Sequence, residues 1–176
     1  MKFFAIRNFA ANERGAIIIE LAAVAPVIAL MVVGVVDLSN AFGRKLALEQ
    51  GAQRAIEKIL QTTDDKTVEA TLASEAVCQV NGLASDGTCK TSPITTSNVT
   101  VTYTLECTAS GGAVSTLSNT DATTFNTYTC ANGSSSAAYI SVAITDKYTP
   151  MFPLTFSGIN SDGTYHISAK AGMRMQ

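Results

Sequence analysis

A single run of apolar residues, from Ala16 to Val36, most constrains how this 176-residue chain can fold. About twenty residues are enough for a helix to cross the hydrocarbon core of a bilayer, and Glu20 is the only charged residue in the run. A secretory signal peptide has a shorter apolar core with a small-residue cleavage site after it. Here a helical pattern continues past the run, and the sequence therefore predicts a membrane-spanning helix over residues 16–36.

The charges that flank the run indicate its orientation. Three cations and one acid precede it, namely Lys2, Arg7, Arg14 and Glu13. Because positive charges favour the cytoplasmic side, this leader predicts a cytoplasmic N-terminus. Arg44 and Lys45 follow the run, so the charge bias is modest. The orientation rests equally on the cysteines further along the chain.

Glu20 requires a physical reason. A carboxylate in hydrocarbon is costly unless it is protonated or paired, and an ionisable residue there is by default a functional hypothesis. The alternative is that Glu20 lies near the membrane edge, where it reaches the headgroups or is simply protonated. The sequence favours the functional interpretation.

The residues around Glu20 form a pattern. Glu13-Arg14-Gly15 directly precedes the apolar run, Glu20 is the fifth residue after Gly15, and Ala25-Pro26 lies within the run. This arrangement resembles the processing site of type IV pilins, and within them the TadE-like minor pilins, or pseudopilins, of the tight-adherence pilus. It departs at Leu21, where the pilin pattern commonly has phenylalanine or tyrosine. The stretch 139–175 also resembles the C-terminal part of TadE-like proteins.

The resemblance implies a function. Residues 1–15 would be a leader that a prepilin peptidase removes between Gly15 and Ala16. Glu20 would then neutralise the new ammonium group on Ala16 of a neighbouring subunit, and a helix out of register would leave both charges bare. The implied partners are the peptidase, other pilins and pseudopilins, the inner-membrane assembly platform and the lipid bilayer. The implied location is the bacterial inner membrane, with one span and the C-terminal domain in the periplasm.

An amphipathic continuation of the helix is predicted over residues 37–62, ending near Gln61. Apolar residues recur at helical spacing along one stripe. They are Leu38, Ala41, Phe42, Leu48, Ala52, Ala55, Ile56 and Ile59. Pro26 is expected either as a tolerated kink or as a bend that adapts the helix to its bundle.

Residues 63–176 are predicted to form a small α+β domain. Thr63 and Asp64 are candidate caps for a second helix over Thr67–Val80. Apolar and polar residues then alternate in three segments, which is typical of strands with one buried face. The segments are 99–107, 140–145 and 165–175. The predicted fold class is therefore α+β and pilin-like, with a long N-terminal helix packed on a small antiparallel sheet.

The intervening segments are predicted to be irregular. Thr108–Ser136 is rich in Ser, Thr, Gly and Asn, and is expected to be a long loop with a short strand near Tyr128. Pro150 and Pro153 exclude regular pairing over Tyr148–Phe156.

The four cysteines, Cys78, Cys89, Cys107 and Cys130, all follow the predicted span. None has the C-x-x-C spacing of a zinc or redox site. An oxidising periplasm favours two structural disulfides over free buried thiols. Three pairings are possible, and the sequential pairs Cys78–Cys89 and Cys107–Cys130 are favoured because each closes one loop.

Other chemistry finds little support. The net charge is −2 and no basic patch occurs, so nucleic acid is not an expected partner. His166 is the only histidine and is expected on the polar face of a strand, so no enzyme activity, cofactor or metal is predicted. Ser-Asp-Gly-Thr occurs at 85–88 and 161–164; tight turns are favoured over calcium loops. Two further hypotheses are an uncut, signal-anchored adhesion module binding through Thr108–Ser136, and, far behind, an anchored enzyme.

Overall fold

A single long helix organises the molecule. The computed structural model describes residues 13–61, 65–152 and 159–175. Helix α1 spans Glu13–Gln61, 49 residues, and is therefore about 74 Å long. It continues through Pro26, and Lys58 in its last turn complements the helix dipole. The long N-terminal helix predicted from the sequence is confirmed, while the leader residues 1–12 lie outside the described residues.

The second helix, α2, spans Asp65–Asn81, close to the predicted bounds. Gly82 directly follows it, with a φ of 74° that suits the left-handed residue found after many helices. The Gly82 amide donates to the carbonyl of Cys78 over 2.9 Å, which closes the last turn. The candidate caps Thr63 and Asp64 lie outside the described residues.

Four antiparallel strands form one sheet in the order β2-β1-β3-β4. Their bounds are β1 Val99–Thr108, β2 Val114–Asn119, β3 Ser135–Tyr148 and β4 Tyr165–Arg174. The alternation predicted for β3 is present, since Ile140, Val142 and Ile144 are all buried. They form one core with buried residues of α1 and α2, among them Leu48, Ala52, Leu72 and Ala76. The α+β fold, a long helix packed on a small antiparallel sheet, is confirmed.

The predicted loop over 108–136 was wrong in part. It contains β2 and a short helix, α3, over Ala122–Phe125, and Tyr128 is not in a strand. Instead, the Tyr128 ring packs edge-on against Phe125, with centroids 6.0 Å apart. The first five residues of β2 are exposed. Backbone pairing with β1 therefore holds this strand in place, and its sequence shows no alternation of apolar and polar residues.

The predicted apolar stripe on α1 was wrong at two positions. Ala41, Leu48 and Ala55 are buried, but Leu38 and Phe42 are 50% and 59% exposed. Leu38 directly follows the buried Asp37, and Phe42 directly follows the buried Ala41. Consecutive residues of a helix are about 100° apart around its axis, so Leu38 and Phe42 point away from the buried face. Helical spacing alone does not distinguish the two adjoining faces.

Candidate assembly and membrane surface

The N-terminal half of α1 presents apolar side chains to its surroundings. Every residue from Ile17 to Val36 is exposed except Val33 and Gly34, which are half-buried. An apolar surface of this extent marks a membrane or protein contact. By length and composition α1 could cross a membrane, which is consistent with a single-pass membrane protein.

The residues of the predicted processing site lie together at the start of α1. Gly15 and Ala16 are in its first turn, because the helix begins at Glu13. Glu20 follows Ala16 by four residues, so the two share one helix face, and Glu20 is exposed. The next charged residue along the helix is Asp37. The Glu20 carboxylate is thus the only charge on the apolar surface between Ala16 and Val36.

Asp37, which directly follows the apolar run, is buried. Only 2% of it is exposed, and its carboxylate accepts hydrogen bonds from the backbone amides of Met151 at 2.8 Å and Phe152 at 3.2 Å. The Tyr148 hydroxyl lies 3.5 Å away. Burial raises the pKa of Tyr148 above its ordinary value, and the nearby Asp37 charge adds to that effect. Asp37 therefore fastens the segment after β3 to the helix where the apolar run ends.

Sequence reasoning missed Asp37. The residue fits the predicted amphipathic helix as an ordinary polar position, and its partners are more than 100 positions away in the chain. The available signal was its place as the first charge after the sixteen uncharged residues that follow Glu20. A carboxylate there must either reach water or find donors, and the structure supplies donors.

Two ion pairs fix the rest of α1. Arg44 Nε donates to Asp146 Oδ2 on β3 over 2.6 Å, and the two side chains are only 18% and 10% exposed. Lys58 Nζ donates to Glu75 of α2 over 2.7 Å, and this hydrogen bond lowers the pKa of Glu75. The helix is thus tied to the sheet and to α2 by charge as well as by apolar packing.

The cysteines form the favoured pairs, Cys78–Cys89 and Cys107–Cys130. The first closes the loop after α2, in which the buried Asn81 side chain donates to the carbonyls of Lys90 and Ile94 and accepts from the Ile94 amide. The second ties the end of β1 to the segment after α3. These residues are structural and lie in the sheet domain, apart from the Gly15–Glu20 segment.

His166 is on the polar face of β4, as expected, and about half of its side chain is exposed. Its Nε2 lies 2.8 Å from Asp162 Oδ2, which also accepts from Lys147 Nζ over 2.9 Å. These contacts, led by that of His166, hold the pKa of Asp162 well below its ordinary value. Asp162 also ties down its own turn, because it accepts from the Thr164 amide and hydroxyl.

The two Ser-Asp-Gly-Thr segments are tight turns, as predicted. Gly87 and Gly163 adopt φ values of 82° and 74°, which favour glycine. In the first turn the Asp86 carboxylate accepts from the amide and hydroxyl of Thr88, repeating the arrangement at Asp162. Among the residues that the structure describes, no three His, Cys, Asp or Glu side chains are grouped so that they could hold a metal ion.

Comparison with known protein families gave a match that lies within α1. Residues 15–56 match the model of the family described as TadE-like protein. Comparisons with curated proteins and with solved structures gave no match. The matched segment begins at Gly15 and takes in Glu20, Asp37 and Arg44. The resemblance seen in the N-terminal motif is therefore confirmed over residues 15–56, and the match is consistent with a TadE-like protein of the tight-adherence pilus system.

Proposed function

We propose that this protein is a minor pilin or pseudopilin required to assemble a tight-adherence pilus, and that a prepilin peptidase cuts it after Gly15. The observation that carries the proposal is the family match over residues 15–56. That segment begins at Gly15, directly after Arg14, and holds Glu20 and the exposed half of α1. A surface of this kind suits a subunit that first resides in lipid and then packs against other helices.

The cut would place an ammonium group on Ala16, four residues before Glu20. In a parallel pair of subunits, the Glu20 carboxylate of one helix can meet the Ala16 ammonium of the other. Four residues correspond to about 6 Å of helix rise, so the pairing requires an axial offset of that size between neighbours. Any other offset leaves two charges unpaired in an apolar environment, and the pair thereby sets the register.

The proposal includes partners and a location. The peptidase and the inner-membrane assembly platform would meet the N-terminal part of α1, and other pilins would pack along its exposed half. The domain would lie in the periplasm, on the far side of the inner membrane from the leader. Two disulfides support that side, because such bonds persist in oxidising compartments.

Intact-mass analysis of the membrane-extracted protein tests the processing step. In cells with the peptidase, the mass should correspond to a chain that begins at Ala16; in cells without it, residues 1–15 should remain. A full-length chain in cells that form pili would contradict the proposal.

Substitution of Glu20 tests the register role. Glu20→Ala should insert into the membrane normally and yet abolish pili, because the neighbouring ammonium loses its partner. Glu57→Ala is the matched control, since Glu57 is an exposed glutamate on the same helix. If Glu20→Ala and Glu57→Ala both leave pilus numbers unchanged, the uncut, signal-anchored module becomes the better interpretation.

A further inference from the structure

The segment that follows β3 returns to α1 at the point where the apolar run ends. Val36 is the last residue of the run, and Asp37 accepts the backbone amides of Met151 and Phe152. Asn40, on the next turn of α1, contacts the Met151 sulfur over 3.6 Å. Met151 and Phe152 therefore lie beside the helix at the level at which a span over residues 16–36 would leave the hydrocarbon.

Both residues are apolar and exposed there. Met151 is 67% exposed and Phe152 is 40% exposed. Leu38 and Phe42, which the apolar stripe had placed in the core, are exposed at the same end of the domain. Phe42 follows Asp37 by five residues, about 7.5 Å of rise. The headgroup region of a bilayer is about 5–8 Å thick on each side, so Leu38 and Phe42 fall within its depth, as do the Met151 and Phe152 amides that Asp37 binds.

The charged side chains of α1 between Val36 and Lys45 are turned away from the surroundings. Asp37 is 2% exposed, and the side chain of Arg44, paired with Asp146, is 18% exposed. The first exposed cation after the run is Lys45, eight residues or about 12 Å beyond Asp37. Between Val36 and Lys45 the helix therefore presents no exposed charge, and its apolar surface is continuous with that of the spanning half.

We propose that Met151 and Phe152, with Leu38 and Phe42, form a second membrane contact that inserts shallowly into the lipid interface, and that Asp37 is the residue that positions it. This rests on the membrane span of the proposed function. Lipid is the occupant because this apolar surface continues directly from that span. Phe and Leu side chains are also typical of the apolar faces with which interfacial helices enter the boundary between headgroups and acyl chains. The contact would hold the domain against the bilayer at a fixed height.

Depth-dependent fluorescence quenching on the full chain in phosphatidylcholine nanodiscs tests the proposal. All four cysteines are in disulfides, so Met151→Cys adds one reactive thiol for an environment-sensitive dye. Val114→Cys is the matched control, because Val114 is 60% exposed. It begins β2 and pairs with Thr108, at the end of β1 that is remote from Met151 and Asp37. Val24→Cys, in the middle of the predicted span, reports on the span itself.

Four results are distinguishable. The proposal expects lipid-borne quencher to reduce dye emission several-fold more at position 151 than at position 114. Quenching at 151 by aqueous iodide, equal to that at 114, would overturn it while leaving the span intact if position 24 responds to lipid. Protection at 151 from both quenchers would also overturn it, because a protein neighbour would then cover the surface. A lack of lipid quenching at position 24 would overturn both the span and this contact.

The positioning role of Asp37 has its own readout. In the Met151→Cys background, Asp37→Ala should lower lipid quenching toward the value at position 114, with position 24 unchanged. Asp37→Asn keeps one oxygen acceptor and should retain most of the quenching. If Asp37→Ala leaves quenching at 151 unaltered, Asp37 does not position the contact.

Discussion

The Asp37 carboxylate accepts a 2.8 Å hydrogen bond from the backbone amide of Met151, 114 positions further along the chain. Through this contact the last part of the chain is held against the helix immediately after its apolar run. A buried carboxylate that receives two backbone amides is stabilised by charge-assisted hydrogen bonds. The geometry explains why an acid can occupy a site that is only 2% exposed.

Removal of this acceptor should destabilise the domain. Asp37→Ala leaves the amides of Met151 and Phe152 without their partner, and the free energy of unfolding in detergent micelles should fall by about 1–3 kcal/mol. Hydrogen exchange at these two amides should accelerate. Asp86→Ala, which removes an exposed turn carboxylate, is the control. An equal loss in both variants would contradict the role assigned to Asp37.

Substitutions of Arg44 and Asp146 should have non-additive effects on the free energy of unfolding. In the described structure the buried Nη2 atom of Arg44 already lacks a hydrogen-bond partner. Asp146→Ala would in addition leave the Arg44 guanidinium without its counter-charge. We expect a loss of about 3 kcal/mol or more in the free energy of unfolding. The double variant Arg44→Met/Asp146→Leu should lose less than Asp146→Ala alone. Urea titrations of Arg44→Met, Asp146→Leu and the double variant check this, and additive losses would count against a coupled pair.

The elements that were predictable from the sequence are those whose side chains alternate between two environments. In β3, Ile140, Val142 and Ile144 face the core, and so their period of two is visible in the sequence. β2 was not predictable because its pairing with β1 uses backbone groups and hydroxyl contacts such as Thr104–Ser118. Neither leaves a pattern of hydrophobicity.

The same limit applies to the candidate site. Gly15 and Glu20 could be found because they form a local motif of fixed spacing. Leu38 and Phe42 were assigned to the core because helical spacing records only that a face is apolar, and not whether protein or lipid covers it. The partners of Asp37 are brought to it by the path of β3, which no local pattern in the sequence encodes.

The Asp121 carboxylate, which caps α3, should titrate at low pH. Hydrogen bonds from Thr124 and Thr123 lower its pKa from 3.8 to about 2. Because the folded pKa is depressed, the stability that the ionised carboxylate contributes is present above about pH 4 and is lost as the pH falls toward 2. Carboxyl chemical shifts over this range measure the pKa directly. Thr124→Ala should raise the pKa toward 3.8, whereas Thr127→Ala, whose hydroxyl contacts the Thr124 carbonyl, should leave it unchanged.

The disulfides should contribute comparably to stability. Cys107 and Cys130 are 23 residues apart and Cys78 and Cys89 are 11 apart, so loop closure predicts about 3 kcal/mol for each, somewhat more for the longer loop. The paired serine variants, Cys107→Ser/Cys130→Ser and Cys78→Ser/Cys89→Ser, should each unfold at lower urea concentration than the native chain. A reductant that leaves the native midpoint unchanged would contradict this prediction.

Two glycines of α1 should respond oppositely to alanine. A Cβ at Gly51 would lie 2.3 Å from Val80 Cγ2 and 3.4 Å from the Ala76 carbonyl oxygen, because α1 and α2 approach closely there. Val80 is β-branched and cannot easily yield, so Gly51→Ala should cost about 1–3 kcal/mol in the free energy of unfolding. A Cβ at Gly43 meets nothing within 4 Å, and Gly43→Ala should instead stabilise the helix by about 0.5–1 kcal/mol. Urea unfolding of both variants checks the pair, and a shift of the same sign in both would show that helix propensity, rather than the contact with α2, decides the outcome.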